Sequence, residues 1–322
     1  VLNIFLVTFP FFALVLAGYV ATRRRMLPLD AIPGLNGFVL FFALPCMLYR
    51  FGASTPLTAL LDVGVFLVWL TCGLLVVGFT ISVTRGGAIG WNDAAFGALV
   101  AAFPNTGFMG VPLLVALLGD QAAGPTIVAI VVDMVVTSSL CIALSQLGSS
   151  NTHGAKTAAK NALVGVISNP MPWSILLGAA ASLFEVKLPA SISKTIGLLA
   201  DAASPVALFT IGAVLARSQM MGEKRLKMAA GFGRSVVPVA FIKLFLHPVL
   251  VLLIGSACIQ FGLPLKPFSL TILILIACLP SASNVSLLAE RFGADNGRIA
   301  RIILVTTTAA FFTFSGAVSL LR

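Results

Sequence analysis

Charge is scarce in this chain. Of 322 residues only 9% are Asp, Glu, Lys or Arg, while 59% are hydrophobic. A soluble domain carries roughly 25% charged residues, so the chain cannot cover a water-facing surface and reads as an integral membrane protein. No polar stretch outgrows a connecting loop, which excludes a separate soluble domain. Histidine occurs twice, and the five cysteines (Cys46, Cys72, Cys141, Cys258, Cys278) all fall in apolar segments without a CxxC pair. Such cysteines pack as small hydrophobes, and without a His/Cys cluster no protein-ligated metal is expected. HExxH, an Asp-rich metal motif and a positioned Ser/His/Asp set are also missing, so a polytopic membrane enzyme is the least supported class. No resident cofactor is expected.

What is present is a series of apolar segments. About 20 such residues cross a bilayer, and on that rule the chain divides into ten spans: 2–22, 34–52, 62–84, 93–118, 124–147, 170–185, 196–216, 235–260, 268–290 and 299–321. The cluster Arg23, Arg24 and Arg25 follows the first apolar run instead of preceding it, as a membrane span does and a signal peptide does not. Loops after odd-numbered spans hold Arg23, Arg24, Arg25, Arg85, Lys156, Lys160, Arg217, Lys224, Arg225, Lys227, Arg234, Arg291, Arg298 and Arg301. The opposite side holds only Arg50, Lys187, Lys194, Lys266 and Arg322. Cytoplasmic loops collect Lys and Arg, so both termini are expected outside. The net charge of +10 is thereby topological, and nucleic acid is not an expected partner. The connector 148–169, with Lys156 and Lys160, is expected on the inner membrane surface.

Ten spans divide into five and five, and because five is odd the second set enters the membrane from the opposite side. The expected fold is all-α: two inverted five-helix repeats, residues 1–147 and 170–322. Pro45 in the second span pairs with Pro205 in the seventh. The fourth and ninth spans are broken at matching places, by AFPNTGFMGVP (Ala102 to Pro112) and ACLPSASN (Ala277 to Asn284). A proline deep in a helix removes a backbone hydrogen bond and frees a carbonyl four residues back. In hydrocarbon this is tolerated only inside protein or along a polar cavity, and paired interruptions point to the binding site of a secondary transporter.

FFALPCMLYRF (Phe41–Phe51), FPNTGFMGVPLL (Phe103–Leu114), SNP (Ser168–Pro170), SPVALFTIGAVLA (Ser204–Ala216), IKLFLHPVL (Ile242–Leu250) and LPSASNVSLLAERFG (Leu279–Gly293) recur in the order seen in the auxin efflux carrier family. The chain resembles the bacterial relatives of the plant auxin exporters and lacks the long central loop of the plant proteins. The resemblance implies an architecture related to sodium/proton antiporters and bile-acid symporters. It implies a scaffold of spans one, two, six and seven, beside a moving domain of spans three to five and eight to ten. It also implies a homodimer through the scaffold, a bacterial inner-membrane location, and small organic acids such as malonate, with auxin itself in doubt.

The residues at the breaks suit that cargo. An interrupted helix offers backbone N–H groups and a positive dipole end to an anion. Pro104, Asn105, Thr106 and Gly107 lie where the second half of span four begins, and Pro280, Ser281, Ser283 and Asn284 do the same in span nine. Asn and Ser both donate and accept, which fits a carboxylate; they also fit the plainer duty of satisfying the freed carbonyls. Ionisable residues inside a membrane call for a functional hypothesis. Asp133 lies nine residues into span five, about 13–14 Å deep. Lys243 and His247, four apart on span eight, share a face. The three are expected to form the polar interior of the moving domain with their protonation linked to transport, although Lys243 could instead reach the interface along its stem and His247 could simply hydrogen-bond in the core. Asp201 reads as an interfacial group.

Neither break carries a carboxylate, and span five has no Asp-Asp pair, which lowers cation exchange as a function. The leading expectation is an elevator-type secondary carrier of small organic anions working by alternating access. Its alternative is a sodium-coupled symporter of the bile-acid type. Coupling to protons, membrane potential or sodium stays open.

Overall fold

The computed structural model describes residues 2–54, 62–87, 89–148, 170–222 and 236–321. Most of the predicted connector, with Lys156 and Lys160, lies outside them, as do Lys224, Arg225, Lys227, Arg234 and Arg322. Among the described residues the chain is helical, and extended backbone pairs only as two isolated bridges, Gly86 with Ile89 and Pro104 with Ser281. In chain order the helices are α1 Leu2–Arg23, α2 Ala31–Ser54, α3 Val63–Thr84, α4 Trp91–Ala102, α5 Thr106–Leu118, α6 Asp120–Ser145, α7 Pro170–Leu183, α8 Ala190–Gly222, α9 Val237–Gln260, α10 Pro267–Ala277, α11 Asn284–Arg291 and α12 Asn296–Leu321. Six of these (α2, α3, α6, α8, α9 and α12) are long and apolar enough to cross a membrane. A helix lies at each predicted segment, and the fourth and ninth are split into half-helices, α4 with α5 and α10 with α11. The seventh runs well past its predicted limits, since α8 spans 33 residues.

Sequence sets which face each helix buries. On α3, Val65, Val68, Trp69, Cys72, Val76 and Thr80 are buried, while Phe66, Leu67, Leu74, Leu75, Phe79 and Val83 are exposed. The buried set recurs at three- and four-residue intervals, one face of a helix. The outer face is equally apolar, as lipid contact requires. Prolines end helices at two places and are accommodated at others. Before Pro104, Phe103 takes extended backbone (φ −95°, ψ 102°) and α4 stops, because a proline ring crowds its predecessor out of the helical region. Pro10 and Pro205 stay inside α1 and α8.

The helices gather in two compact units. The first comprises Val1–Asp62, Gly107–Val128 and Asn169–Lys224; the second comprises Val63–Thr106, Ala129–Ser168 and Arg225–Arg322. This grouping differs from a partition by whole spans at residues 107–128. Within the first unit, α1 packs on α8 and α2 on α7. At the first crossing a Cβ on Gly18 would land on the Phe209 carbonyl, and one on Gly212 on the Val15 carbonyl. At the second, Gly52 meets the backbone of Ile175 and Gly178 that of Tyr49. Arg50 and Asp201 close an exposed ion pair at 2.6 Å between α2 and α8. Asp201 is thus an exposed surface group.

Candidate functional site

The second unit holds the two breaks against each other. The Asn105 amide donates to the Pro280 carbonyl at 2.8 Å, and the Ala282 amide donates to the Phe103 carbonyl at 2.9 Å. With the Pro104–Ser281 bridge between them, each interruption satisfies backbone groups that the other has freed. A proline interrupts both strands of this miniature ladder, so two bonds are all that form. The Thr106 amide turns back to the Pro104 carbonyl at 2.8 Å, and α5 begins there.

Of the predicted break residues, Pro104, Asn105, Thr106, Pro280 and Ser281 are buried, and Ser283 and Asn284 are half-buried. All seven belong to the second unit, whereas half-buried Gly107 groups with the first. The Ser281 amide reaches the Thr306 hydroxyl oxygen on α12 at 3.3 Å, while its own hydroxyl is buried without a hydrogen-bond partner. Thr306 in turn donates to the Ile302 carbonyl at 2.9 Å. It therefore acts as the post on which the second break rests.

A cluster of ionisable groups lies in the same unit. Asp133 falls in a π-helical stretch of α6, Val132–Thr137, and Lys243 in one of α9, Ile242–Leu246. π-Helical turns occur frequently at functional sites. Trp69 Nε1 of α3 donates to Asp133 Oδ1 at 3.1 Å, joined by the Thr137 hydroxyl at 3.3 Å. The second carboxylate oxygen of Asp133 is buried without a partner. Lys243 Nζ donates to the Ala277 carbonyl at 2.7 Å and lies 3.5 Å from His247 Nδ1. The Trp69 and His247 rings lie 5.2 Å apart by centroids. Asp133, Lys243 and His247 are thus brought together. The interfacial alternative for Lys243 is overturned: its side chain is fully buried, turned inward by the carbonyl that ends α10.

That contact has an electrostatic meaning. Ala277 is the last residue of α10, where unpaired carbonyls and the negative end of the helix dipole collect. Lys243 donates to this end, and the neighbouring His247 Nε2 is buried without a hydrogen-bond partner. One face of α9 therefore meets the C-terminal end of α10. The N-terminal end of α11 is left as the positive side of the second break. Trp69, Thr137 and Thr306 carry no sequence signal of these contacts beyond an isolated Trp within an apolar span. Among the described residues no three His, Cys, Asp or Glu side chains gather at one point.

The family model described as "Membrane transport protein" matches residues 4–318. The chain belongs to the auxin efflux carrier family of membrane transporters. It is 28% identical over 316 residues to a Rhizobium meliloti (strain 1021) protein named "Putative malonate transporter", covering 97% of this chain and 94% of the relative. It is 30% identical over 297 residues to the uncharacterized transporter YfdV of Escherichia coli (strain K12), covering 88% and 86%. Auxin efflux carrier component 8 of Arabidopsis thaliana is 22% identical over 364 aligned positions, with 95% of each chain covered. The protein is accordingly a multi-pass integral membrane transporter.

Proposed function

We propose that this carrier moves small organic anions, malonate-like or auxin-like carboxylates, by alternating access with an elevator-type displacement of the domain that holds the breaks. The observation that carries the reading is the mutual bonding of the two broken spans, Asn105 to Pro280 and Ala282 to Phe103, beside a buried and unpartnered Ser281 hydroxyl. A carboxylate needs hydrogen-bond donors and a positive potential, yet must leave again. A half-helix N-terminus at a break supplies both, and the lysine beside the second break, Lys243, is held at the Ala277 carbonyl. In its protonated form Lys243 strengthens that asymmetry, by neutralising the negative end of α10. The names borne by the relatives from Rhizobium and Arabidopsis agree with a carboxylate cargo.

The inverted repeat of the reading is supported by the glycine crossings. Exchanging spans one and two with six and seven turns the Gly18–Gly212 contact into the Gly178–Gly52 contact, and both occur. We place the protein in a bacterial inner membrane, both termini outside, as a homodimer.

The test is reconstitution into liposomes and recording of substrate-induced charge movement over a panel of mono- and dicarboxylates, with Asn105→Ala alongside. A saturable current for one acid, lost in the variant, is expected. Silence for every acid together with a response to a sodium jump would replace this reading by the sodium-coupled symporter.

A further inference from the structure

Arg298 stands among the basic residues assigned to a loop, yet it belongs to the first turn of α12 and is only 3% exposed. A guanidinium is not withdrawn from water without compensation, so its neighbours are informative. Its NH1 donates to the Asp93 carbonyl at 2.8 Å, and its amide donates to Asp295 Oδ1 at 2.9 Å. The Asp93 carboxylate accepts the Asp295 amide at 2.8 Å, and Asn92 Nδ2 donates to the Phe292 carbonyl at 3.0 Å. The Phe96 and Phe292 rings pack at 6.1 Å between centroids. Asp93, Asp295 and Arg301 are among the charged groups that act on Arg298. The guanidinium lies flat on Gly97, where an added Cβ would come within 3.0 Å of both NH1 and NH2. These bonds join the start of α4 to the loop that links α11 to α12. A further bond, Ser286 to Asn296 Oδ1 at 2.7 Å, ties α11 itself to α12.

The half-helices α4 and α11 are thus attached to each other twice: at the crossing, and again at the ends remote from it. The crossing alone consists of two backbone hydrogen bonds and could pivot. A second attachment about a helix length away removes that freedom. We propose that Arg298, seated on Gly97 and closed by Asp93 and Asp295, is a positioning residue. It fixes the outer ends of α4 and α11 to each other and so holds residues 103–106 and 280–282 in the register that forms the site. It touches no substrate. Its effect passes along α4 and α11, and neither the family match nor the relatives assign it.

Only the transport arm of the test rests on the carboxylate reading. Arg298→Gln, Gly97→Ala and their combination are compared with the unchanged full-length chain in nanodiscs by hydrogen–deuterium exchange, and in liposomes with malonate as probe. Each single variant is expected to speed exchange at the Asn105 and Ala282 amides about tenfold, the scale set by loss of a charged hydrogen bond. The helices around Gly18 and Gly212 should stay unchanged. The apparent KM for malonate should rise about tenfold while the maximal rate holds within about twofold, the signature of a displaced binding site. The double variant should be no worse than Arg298→Gln alone, because the added methyl then has no guanidinium to displace. Exchange at Asn105 and Ala282 equal to that of the unchanged protein, or effects of the singles that multiply in the double, would overturn the proposal. If Arg298→Gln does not fold, Asn92→Ala, which loses one hydrogen bond, is read beside Gly97→Ala by the same criteria. If the unchanged protein moves no malonate and no other acid, the carboxylate reading fails, and the exchange rates still decide the clasp.

Discussion

The two units solve the same problem by different means. Helices in a membrane gain little from hydrophobic association, because lipid is as apolar as leucine; close packing and polar contacts must hold them. The first unit relies on packing. Its helices meet where Gly18, Gly212, Gly52 and Gly178 bring backbone against backbone, and its Arg50–Asp201 ion pair is exposed. The second unit relies on polar completion. Its helices are broken and repaired by each other, and Asp133, Lys243, His247 and Arg298 are all buried there. A crossing made of glycine and carbonyl groups has nothing left to offer a ligand. One made of interrupted helices keeps donors such as the Ser281 hydroxyl in reserve. On the proposed reading, the difference separates a structural crossing from one that can meet a ligand.

The comparison is broken most severely at Gly212. A Gly212→Val side chain would be driven into the Val15 carbonyl of α1, and overpacking of this kind costs about 1–3 kcal/mol or more. Purified Gly212→Val protein should melt well below the unchanged chain or fail to give a monodisperse peak. Gly197→Ala in the same helix meets no atom within 4 Å and serves as the control. It should match or slightly exceed the unchanged protein, since alanine favours a helix over glycine by about 1 kcal/mol. Equal melting of the valine variant and the control would mean that the first unit is not held by backbone contact.

A smaller effect tests the polar crossing. Thr306→Val keeps the shape of the side chain and removes the oxygen that receives the Ser281 amide. Leaving a buried amide unpaired costs about 1–3 kcal/mol. Thr306→Ser retains the oxygen and should behave nearly as the unchanged chain. Thermal melting of both variants, with charge movement on substrate addition, checks this; valine and serine variants that behave alike would show that α12 does not support the break.

The breaks were legible because their cause is local. Pro104 and Pro280 forbid continuous helix wherever they fall, and the adjoining Asn and Ser residues identify a polar environment. Asp133 was legible from depth alone, and the Lys243–His247 pair from its four-residue spacing. Their partners were not. Trp69 reaches Asp133 across 64 positions, Ser281 reaches Thr306 across 25, and Arg298 reaches Asp93 across 205. No helical period relates such residues. Arg298 was misplaced for a related reason: a charge near the end of an apolar run reads as a loop residue unless the opposing helix is known to carry Gly97. The same limit applied to Lys243, whose direction was set by the Ala277 carbonyl, 34 residues away.

The mildest test concerns the charge pair of the first unit. Arg50 and Asp201 approach to 2.6 Å, but their side chains are 42% and 68% exposed. Water and salt screen such a pair, and exposed pairs contribute about 0–1 kcal/mol. Asp201→Asn should therefore lower the melting temperature only slightly, and the small difference should shrink as ionic strength rises and the Debye length contracts. Gly212→Val should show no such salt dependence, because steric overlap is not screened. If Asp201→Asn instead destabilises as much as Thr306→Val, a polar contact holds the first unit as polar contacts hold the second. The distinction between packed and polar crossings would then reduce to where the charges lie along the helices.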